Sequence, residues 1–263
     1  MRDFTISIYQ SLLSTLKEKG YAFQTFSQYL KDPAERVIML RHDVDDRKEN
    51  SLAFAKIQAD LGIVGTYYFR MVPQSFDPET VKAISAMGHE IGYHYEDMDF
   101  AAGDPEKAIR LFEKHLFTLR ELVPVETICM HGSPRSPYDN RDIWQYTDYR
   151  TYGIIGEPYL DLDFGRVFYL TDTGRRWDGH RVSIRDKTAN PHGLSFHSTL
   201  EIIEAIRSGK LPPVVMMNFH PQRWTEDPVL WIREWISQKA KNQAKYILIK
   251  WRGNRQSQSA KPF

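Results

Sequence analysis

Two carboxylates and three histidines stand where they could hold a metal ion and move protons. Asp43 and Asp45 lie in Arg41-His42-Asp43-Val44-Asp45-Asp46, just after the apolar run Val37-Ile38-Met39-Leu40. Strand side chains alternate, so Asp43 and Asp45 point to one side and His42 and Val44 to the other. Two like charges this close oppose each other's ionisation, and a cation or a raised pKa must resolve the conflict. A divalent metal does so if one Asp is a ligand and the other stays free as a base. The competing reading has these acids capping the next helix or pairing with Arg41 and Arg47.

An Asp-x-Asp alone does not separate the two readings. Three more strand-like runs also end in groups fit for chemistry: Glu90 to His94, Thr127 to His131 and Val214 to His220. His94 shares its face with Glu90 and with Gly92, which leaves room beside it. His131 shares a face with Cys129 and Thr127, and Gly132-Ser133-Pro134 makes a turn that presents it. His220 shares a face with Asn218 and Met216, and Pro221 stops the strand. His89 falls on the opposite face and reads as structural. His115 sits on a long helix as a partly buried side chain, while His180, His192 and His197 fall in loops with no assigned role.

The elements that must position these groups alternate along the chain. Helices are expected over 6–17, 50–61, 78–87, 105–122, 199–207 and 227–240, from apolar spacing, caps and stops. Asp77 and Ser198 are the N-caps of the third and fifth, and Gly62 and Gly88 the stops of the second and third. Ile109, Phe112, Leu116 and Leu119 form the core face of the 105–122 helix. Strands are expected over 37–40, 66–69, 90–94, 127–131 and 214–220, with a last one at Tyr246-Ile247-Leu248-Ile249. Between 132 and 198 loops dominate. Strand and helix in turn mean βαβ units and a mainly parallel sheet, with the site at the carboxyl ends of the strands.

Composition narrows the function classes. The 263 residues are 41% hydrophobic and 26% charged, an ordinary globular balance able to bury a sizeable core. The net charge of +1 gives no overall drive toward nucleic acid or an anionic membrane. With Cys129 as the single cysteine, no internal disulfide can form. There is no run of 18 apolar residues and no signal-peptide core, so the expectation is a cytoplasmic protein without a membrane span. Aromatics make up 13% and many fall in connecting segments, as in carbohydrate-handling proteins, although packing under loops reads equally well. One domain over 1–252 is expected, with a helical segment at 1–35 and a flexible tail at 253–263. The oligomeric state is open.

Several of these segments carry a family resemblance. Gly88-His89-Glu90-Ile91-Gly92-Tyr93-His94 resembles the second motif of the NodB-homology polysaccharide deacetylases, carbohydrate esterase family 4. His42-Asp43-Val44-Asp45 resembles their first motif, and Gly65-Thr66-Tyr67-Tyr68-Phe69 their second strand. Asp172-Thr173-Gly174-Arg175-Arg176-Trp177 is similar in place to their Asp/Trp motif, and Asn218-Phe219-His220-Pro221 to their last. The set runs in order from about residue 37 to 224, and the whole looks most like deacetylases of bacterial O-antigen gene clusters. The resemblance implies an α/β fold, a distorted (β/α) barrel of about seven mainly parallel strands. It also implies a divalent metal, usually zinc, and a carbohydrate substrate that loses an N-acetyl group. In role, Asp43 corresponds to the general base, Asp45 and His94 to metal ligands, and His220 to the general acid.

The sequence departs from that pattern where a second metal histidine is expected four residues after the first. Met98 stands there, and a thioether is a poor ligand for such an ion. His131, at the end of an adjacent strand, is the candidate third ligand, ahead of Asp97 and Asp99. The Arg-containing third motif is also not reproduced; His131 and Pro134-Arg135-Ser136-Pro137-Tyr138 occupy its region. In the implied mechanism Asp43 takes a water proton and His220 protonates the leaving amine. Trp177 and Tyr138 are expected to stack on the sugar, and Arg175 or Arg176 to hold an anionic group such as phosphate, against the alternative of a solvated loop. A metal-dependent amidohydrolase on another C–N bond and a non-catalytic sugar-binding relative are the other two readings.

Overall fold

The computed structural model describes residues 2–133, 136–178 and 190–259, the last sixteen of these as backbone alone. Seven strands form one curled, all-parallel half-barrel sheet, a distorted (β/α) barrel, six of them in the order β5-β4-β3-β2-β7-β6 and the seventh, β1, paired with β2 off that path. The strands are β1 (Ala22–Gln24), β2 (Val37–Val44), β3 (Thr66–Phe69), β4 (Glu90–Tyr95), β5 (Ile128–Met130), β6 (Phe168–Thr171) and β7 (Val214–Phe219). The helices are α1 (Ile6–Glu18), α2 (Phe26–Lys31), α3 (Lys48–Asp60), α4 (Pro78–Ala86), α5 (Asp97–Phe100), α6 (Pro105–Arg120), α7 (Pro158–Asp161), α8 (Thr199–Arg207) and α9 (Pro228–Ser259). No helix among the described residues is long and apolar enough to cross a membrane.

β2 is the centre of the sheet. Every residue in it is buried. β7 lies along one side, in register from Val37↔Val214 to His42↔Phe219. On its other side β1 pairs with its first half and β3 with its second. Alternation then gives the two faces different work. Ile38, Leu40 and Val44 join the large core under the helices. Met39, with Met216, Phe26, Leu162 and Val167, forms a smaller cluster on the face that carries Arg41 and Asp43. That cluster floors the barrel interior beneath the polar groups.

Local chemistry explains the helix limits. Thr5, Asp77, Asp104 and Ser198 each accept a hydrogen bond from a first-turn N–H, and Pro78 and Pro105 follow two of them. Gly62 (φ 65°) and Gly88 (φ 88°) take the left-handed conformation after α3 and α4, so both expected stops are real. The buried face of α6 is Ala108, Phe112, Leu116 and Leu119, with Ile109 only partly covered.

One expectation is corrected. Tyr246 to Ile249 is not a strand: it lies inside α9, which runs unbroken to Ser259. Residues 260–263 lie outside the described residues. A four-residue apolar run fits a helix as well as a strand, and no breaker separates it from the helical pattern before it. The loop-rich stretch also holds β6, which extends the sheet beyond β7.

The outer edge of β5 is covered by an irregular segment. Thr127 bridges to Gly156, Ile128 N–H donates to Gly156 O at 3.1 Å, and Met130 N–H donates to Glu157 Oε1 at 3.0 Å. Glu157 also caps α7 by accepting from Tyr159 and Leu160. One buried carboxylate therefore joins the sheet edge to the next turn.

Candidate metal and acid–base centre

The carboxyl ends of β2, β4, β5 and β7 meet at one place. Asp43 is the last residue but one of β2, and Asp45 follows through a tight turn in which its N–H donates to Asp43 O at 3.0 Å. Both acids reach the histidines. His94 Nε2 lies 3.6 Å from Asp45 Oδ1 and 3.9 Å from Asp43 Oδ2. His220 Nε2 lies 3.8 Å from Asp45 Oδ2 and 4.0 Å from Asp43 Oδ2. His131 Nδ1 lies 3.2 Å from Asp45 Oδ1 and 3.4 Å from His94 Nε2. Asp43 and His94 are buried, while Asp45 and His131 keep partial solvent access.

Three of these atoms form a triangle suited to a metal ion. The separations among Asp45 Oδ1, His94 Nε2 and His131 Nδ1 are 3.6, 3.4 and 3.2 Å. Tetrahedral zinc with bonds of about 2.0–2.2 Å requires ligand–ligand edges of about 3.3–3.6 Å. The hydrogen bonds support that use. His94 Nδ1–H donates to Cys129 O at 2.9 Å, which leaves the Nε2 lone pair facing the triangle. Asp45 Oδ1 is buried and accepts no hydrogen bond. Asp43, His94 and Cys129 form a second close group, deeper in the barrel.

Met98 contributes nothing to the centre. Its side chain is buried in the large core. The structure puts His131 beside Asp45 and His94, as the alternation along β5 suggests. Asp97 is instead held by Tyr93 and His115, and Asp99 by Asn140 and Ser136. Gly92 does not leave space for a ligand: a Cβ there would sit 2.3 Å from the Tyr68 ring. The glycine admits Tyr68, whose hydroxyl meets Thr127 Oγ1 at 3.1 Å.

Each acid–base group has its own anchor. Arg41, two residues before Asp43 on the same face, donates from Nε (2.8 Å) and Nη2 (2.7 Å) to the two oxygens of Asp43. Asn218 Nδ2 adds a third bond to Oδ2 at 3.0 Å. Burial pushes the Asp43 carboxyl up, but Arg41, then His94 and His220, outweigh it and hold it well below the usual range. Asp45 is likewise held low against burial, chiefly by His131. The pairing of Asp43 with Arg41 does occur, but it coexists with the histidine cluster. Neither acid caps α3, whose N-cap, Arg47, makes no side-chain cap bond.

Sequence reasoning did not single out Asp172 as a site residue. His220 Nδ1–H donates to Asp172 Oδ1 at 2.5 Å, so Nε2 faces the carboxylates. Asp172 also accepts from Arg223 Nη1 at 2.9 Å, Trp224 Nε1 at 2.7 Å and the His220 N–H at 3.0 Å. Burial raises its carboxyl, yet His220 and Arg223 bring it below the ordinary value. The available signal was its position, first in the Asp172–Trp177 segment. Glu96 and Arg70 were also missed. Their bidentate pair (2.8 and 2.7 Å) lies behind His131, with Glu96 Oε2 3.9 Å from Nε2.

The expected substrate contacts fare differently. Trp177 is buried in the core, donates to Thr199 Oγ1 at 2.9 Å and has no face free for a sugar. Loop aromatics that pack inward look the same in sequence as those that face out. The Tyr138 ring lies against Gly103. Arg175 and Arg176 border α9 rather than the carboxylate–histidine group, and Arg176 is paired with Asp178. Pro134, Arg135 and His180 lie outside the described residues. His197 is exposed and paired with Asp178; His192 is exposed beside Phe168. His115 is partly buried, as expected.

His42 and His89 are structural, as alternation implies. His42 stacks on Tyr67 (4.1 Å, 8°) and bonds Thr66 O and Gln58, and burial pushes its pKa down to about 3. His89 joins Gly65 N–H to Ala55 O.

No family model matches this chain, and a search of the curated proteins finds no match. The functional reading therefore rests on the residues and their geometry.

Proposed function

We propose that this chain is a metal-dependent hydrolase that removes an N-acetyl group from an amino sugar. The observation that carries the reading is the Asp45–His94–His131 triangle, flanked by an anchored carboxylate on one side and an anchored histidine on the other. Three protein ligands with a fourth position free is the arrangement of hydrolytic zinc sites. The choice of an acetylated sugar comes from the ordered motif resemblance, and so does zinc as the expected ion.

When bound, the ion supplies Lewis-acid polarisation of the acyl carbonyl and a lowered pKa for water. The other steps belong to side chains. Asp43, kept ionised by Arg41, accepts the proton of the attacking water through Oδ2, the oxygen nearest His94 and His220. Asn218 Nδ2 and Arg41 Nη2 fix that oxygen, and Arg41 Nε on Oδ1 stops the carboxylate from rotating away. His220 delivers a proton from Nε2 to the departing amine, and Asp172 holds the ring for that transfer. Asp43 and His220 thus act as separate base and acid.

A cytoplasmic setting, in line with the sequence, favours a nucleotide-linked or lipid-linked sugar over a finished polymer. The deciding assay is acetate release by the zinc-loaded chain from nucleotide-activated N-acetyl sugars and from chitin oligomers. Release from the activated sugars, lost in Asp43→Asn and His220→Ala, is expected. No release from any amino sugar would overturn the proposal, and preference for the oligomers would overturn the choice of substrate.

A further inference from the structure

A polar cavity lies between the Gly174–Arg176 turn and α9. Its volume is about 540 Å³. Its walls include Gly174, Arg175, Arg176, Trp235, Lys239 and Asn242, and no acidic side chain among the described residues lines it. Arg175 is its unusual member. The side chain is over nine-tenths buried, yet its Nε and Nη2 make no hydrogen bond. Only Nη1 is used, donating to Trp231 O at 3.0 Å. No carboxylate among the described residues lies within ion-pair distance of it; the Phe4 and Trp231 rings sit at 5.3 and 4.6 Å instead. A buried guanidinium with two idle donors is costly to keep even with those rings beside it and the charges of Glu234, Asp3 and Asp172 further off.

The turn is also held in an unusual shape around it. Gly174 (φ 74°) and Arg175 (φ 55°) are both left-handed, a conformation disfavoured for arginine. Asn242 Nδ2 fastens Gly174 O at 2.9 Å, and Asn242 Oδ1 stays buried and unpartnered. Lys239 stands at the cavity on an exposed turn of α9, its Nζ 3.7 Å above the Trp235 ring.

From this we infer that the cavity is a binding site for a phosphorylated sugar. Arginine's fork and the lysine suit a phosphoryl group, and the idle amide oxygen suits a sugar hydroxyl. The site is separate from the metal triangle and is linked to the anchor of His220: Arg175 N–H donates to Asp172 O at 2.8 Å. It deepens the deacetylase reading, on which its place in the reaction rests, by supplying a seat for the phosphate of an activated sugar.

The test is calorimetric titration of the chelator-treated, full-length chain with N-acetylglucosamine 1-phosphate, and with inorganic phosphate as competitor. Saturable one-to-one binding is expected, displaced by phosphate and weakened about tenfold or more in Lys239→Glu, whose melting temperature stays that of the wild type. Arg175→Gln, checked for folding by its melting curve, gives the same loss. In the zinc-loaded enzyme, a substrate role makes Lys239→Glu raise KM for the phosphorylated sugar at unchanged kcat, whereas a separate phosphate-effector role leaves that KM alone. No saturable binding, or binding that Lys239→Glu leaves intact, would overturn the inference. Because binding is read without metal or turnover, it fails or stands apart from the deacetylase proposal.

Discussion

Arg41 and Asp43 lie two residues apart on one strand face, and the guanidinium of the first grips the carboxylate of the second through Nε and Nη2. Both side chains are almost wholly buried. The pair fixes the base and keeps it charged. Arg41→Met strands an ionised carboxylate in the barrel, at an expected cost of about 3–5 kcal/mol by urea denaturation. Arg41→Lys keeps the charge and loses the fork. Its pH–rate profile should show the acid limb moved to higher pH, because Arg41 is what holds Asp43 down against burial. An unmoved limb would remove Arg41 from the mechanism.

The metal triangle makes three residues equivalent in one assay. About one zinc per chain is expected after dialysis, falling sharply in Asp45→Asn, His94→Gln and His131→Gln, by elemental analysis. Met98→His should not improve retention. It puts an imidazole into the core, so its effect is a lower melting temperature. Full zinc in His131→Gln would exclude His131 as a ligand.

Asp172→Asn separates the acid from the metal. Zinc content should be unchanged, because Asp172 touches His220 and not the triangle. The deacetylation rate should fall by about two to four orders of magnitude as the His220 ring loses its tautomer and aim. Equal loss of zinc and activity would mean that Asp172 shapes the whole site instead.

Glu157 offers a pH test away from the chemistry. Burial lifts its pKa to about 7 despite the Met130 N–H, the Arg41 charge, the Tyr159 N–H and the Arg141 charge, which all pull it down. The folded chain therefore holds a proton there that the unfolded chain, with an ordinary carboxyl near 4.3, has released. Stability from this group is complete below about pH 4.3 and declines as pH rises through 7. Glu157→Gln removes the decline, so its melting temperature relative to wild type should climb between pH 5 and pH 8. A flat difference would show that the backbone donors keep Glu157 ionised.

Much of the barrel and of the site was legible from period and punctuation. The β2 carboxylates and the histidines closing β4, β5 and β7 follow from alternation and strand order, and Asp77, Gly62 and Gly88 mark real helix ends. What stayed hidden depends on which way side chains pack in three dimensions. Trp177 in a loop looked like a sugar platform, but Phe4, Phe219 and Trp224 enclose it. Asp172 was in view as a residue, yet only folding brings it under His220, 48 positions away. Arg41 was in view as a partner of the acids but as a rival to the metal reading; since i and i+2 share a face, the Arg41–Asp43 pair and the histidine cluster coexist. β6 is four residues inside irregular chain, too short for period to reveal.

The position of β2 has a mechanical outcome. Flanked by β1, β3 and β7, it is the strand least able to breathe, and Asp43 rides on its end. β5 is the sheet's margin, three residues long and tied outward by one bridge and the carboxylate of Glu157. His131 hangs just beyond it. Local opening should thus begin at β5, detaching one ligand while the base stays in place. Ion exchange and catalytic alignment would then have different gates, the first hinged at the rim and the second locked at the hub.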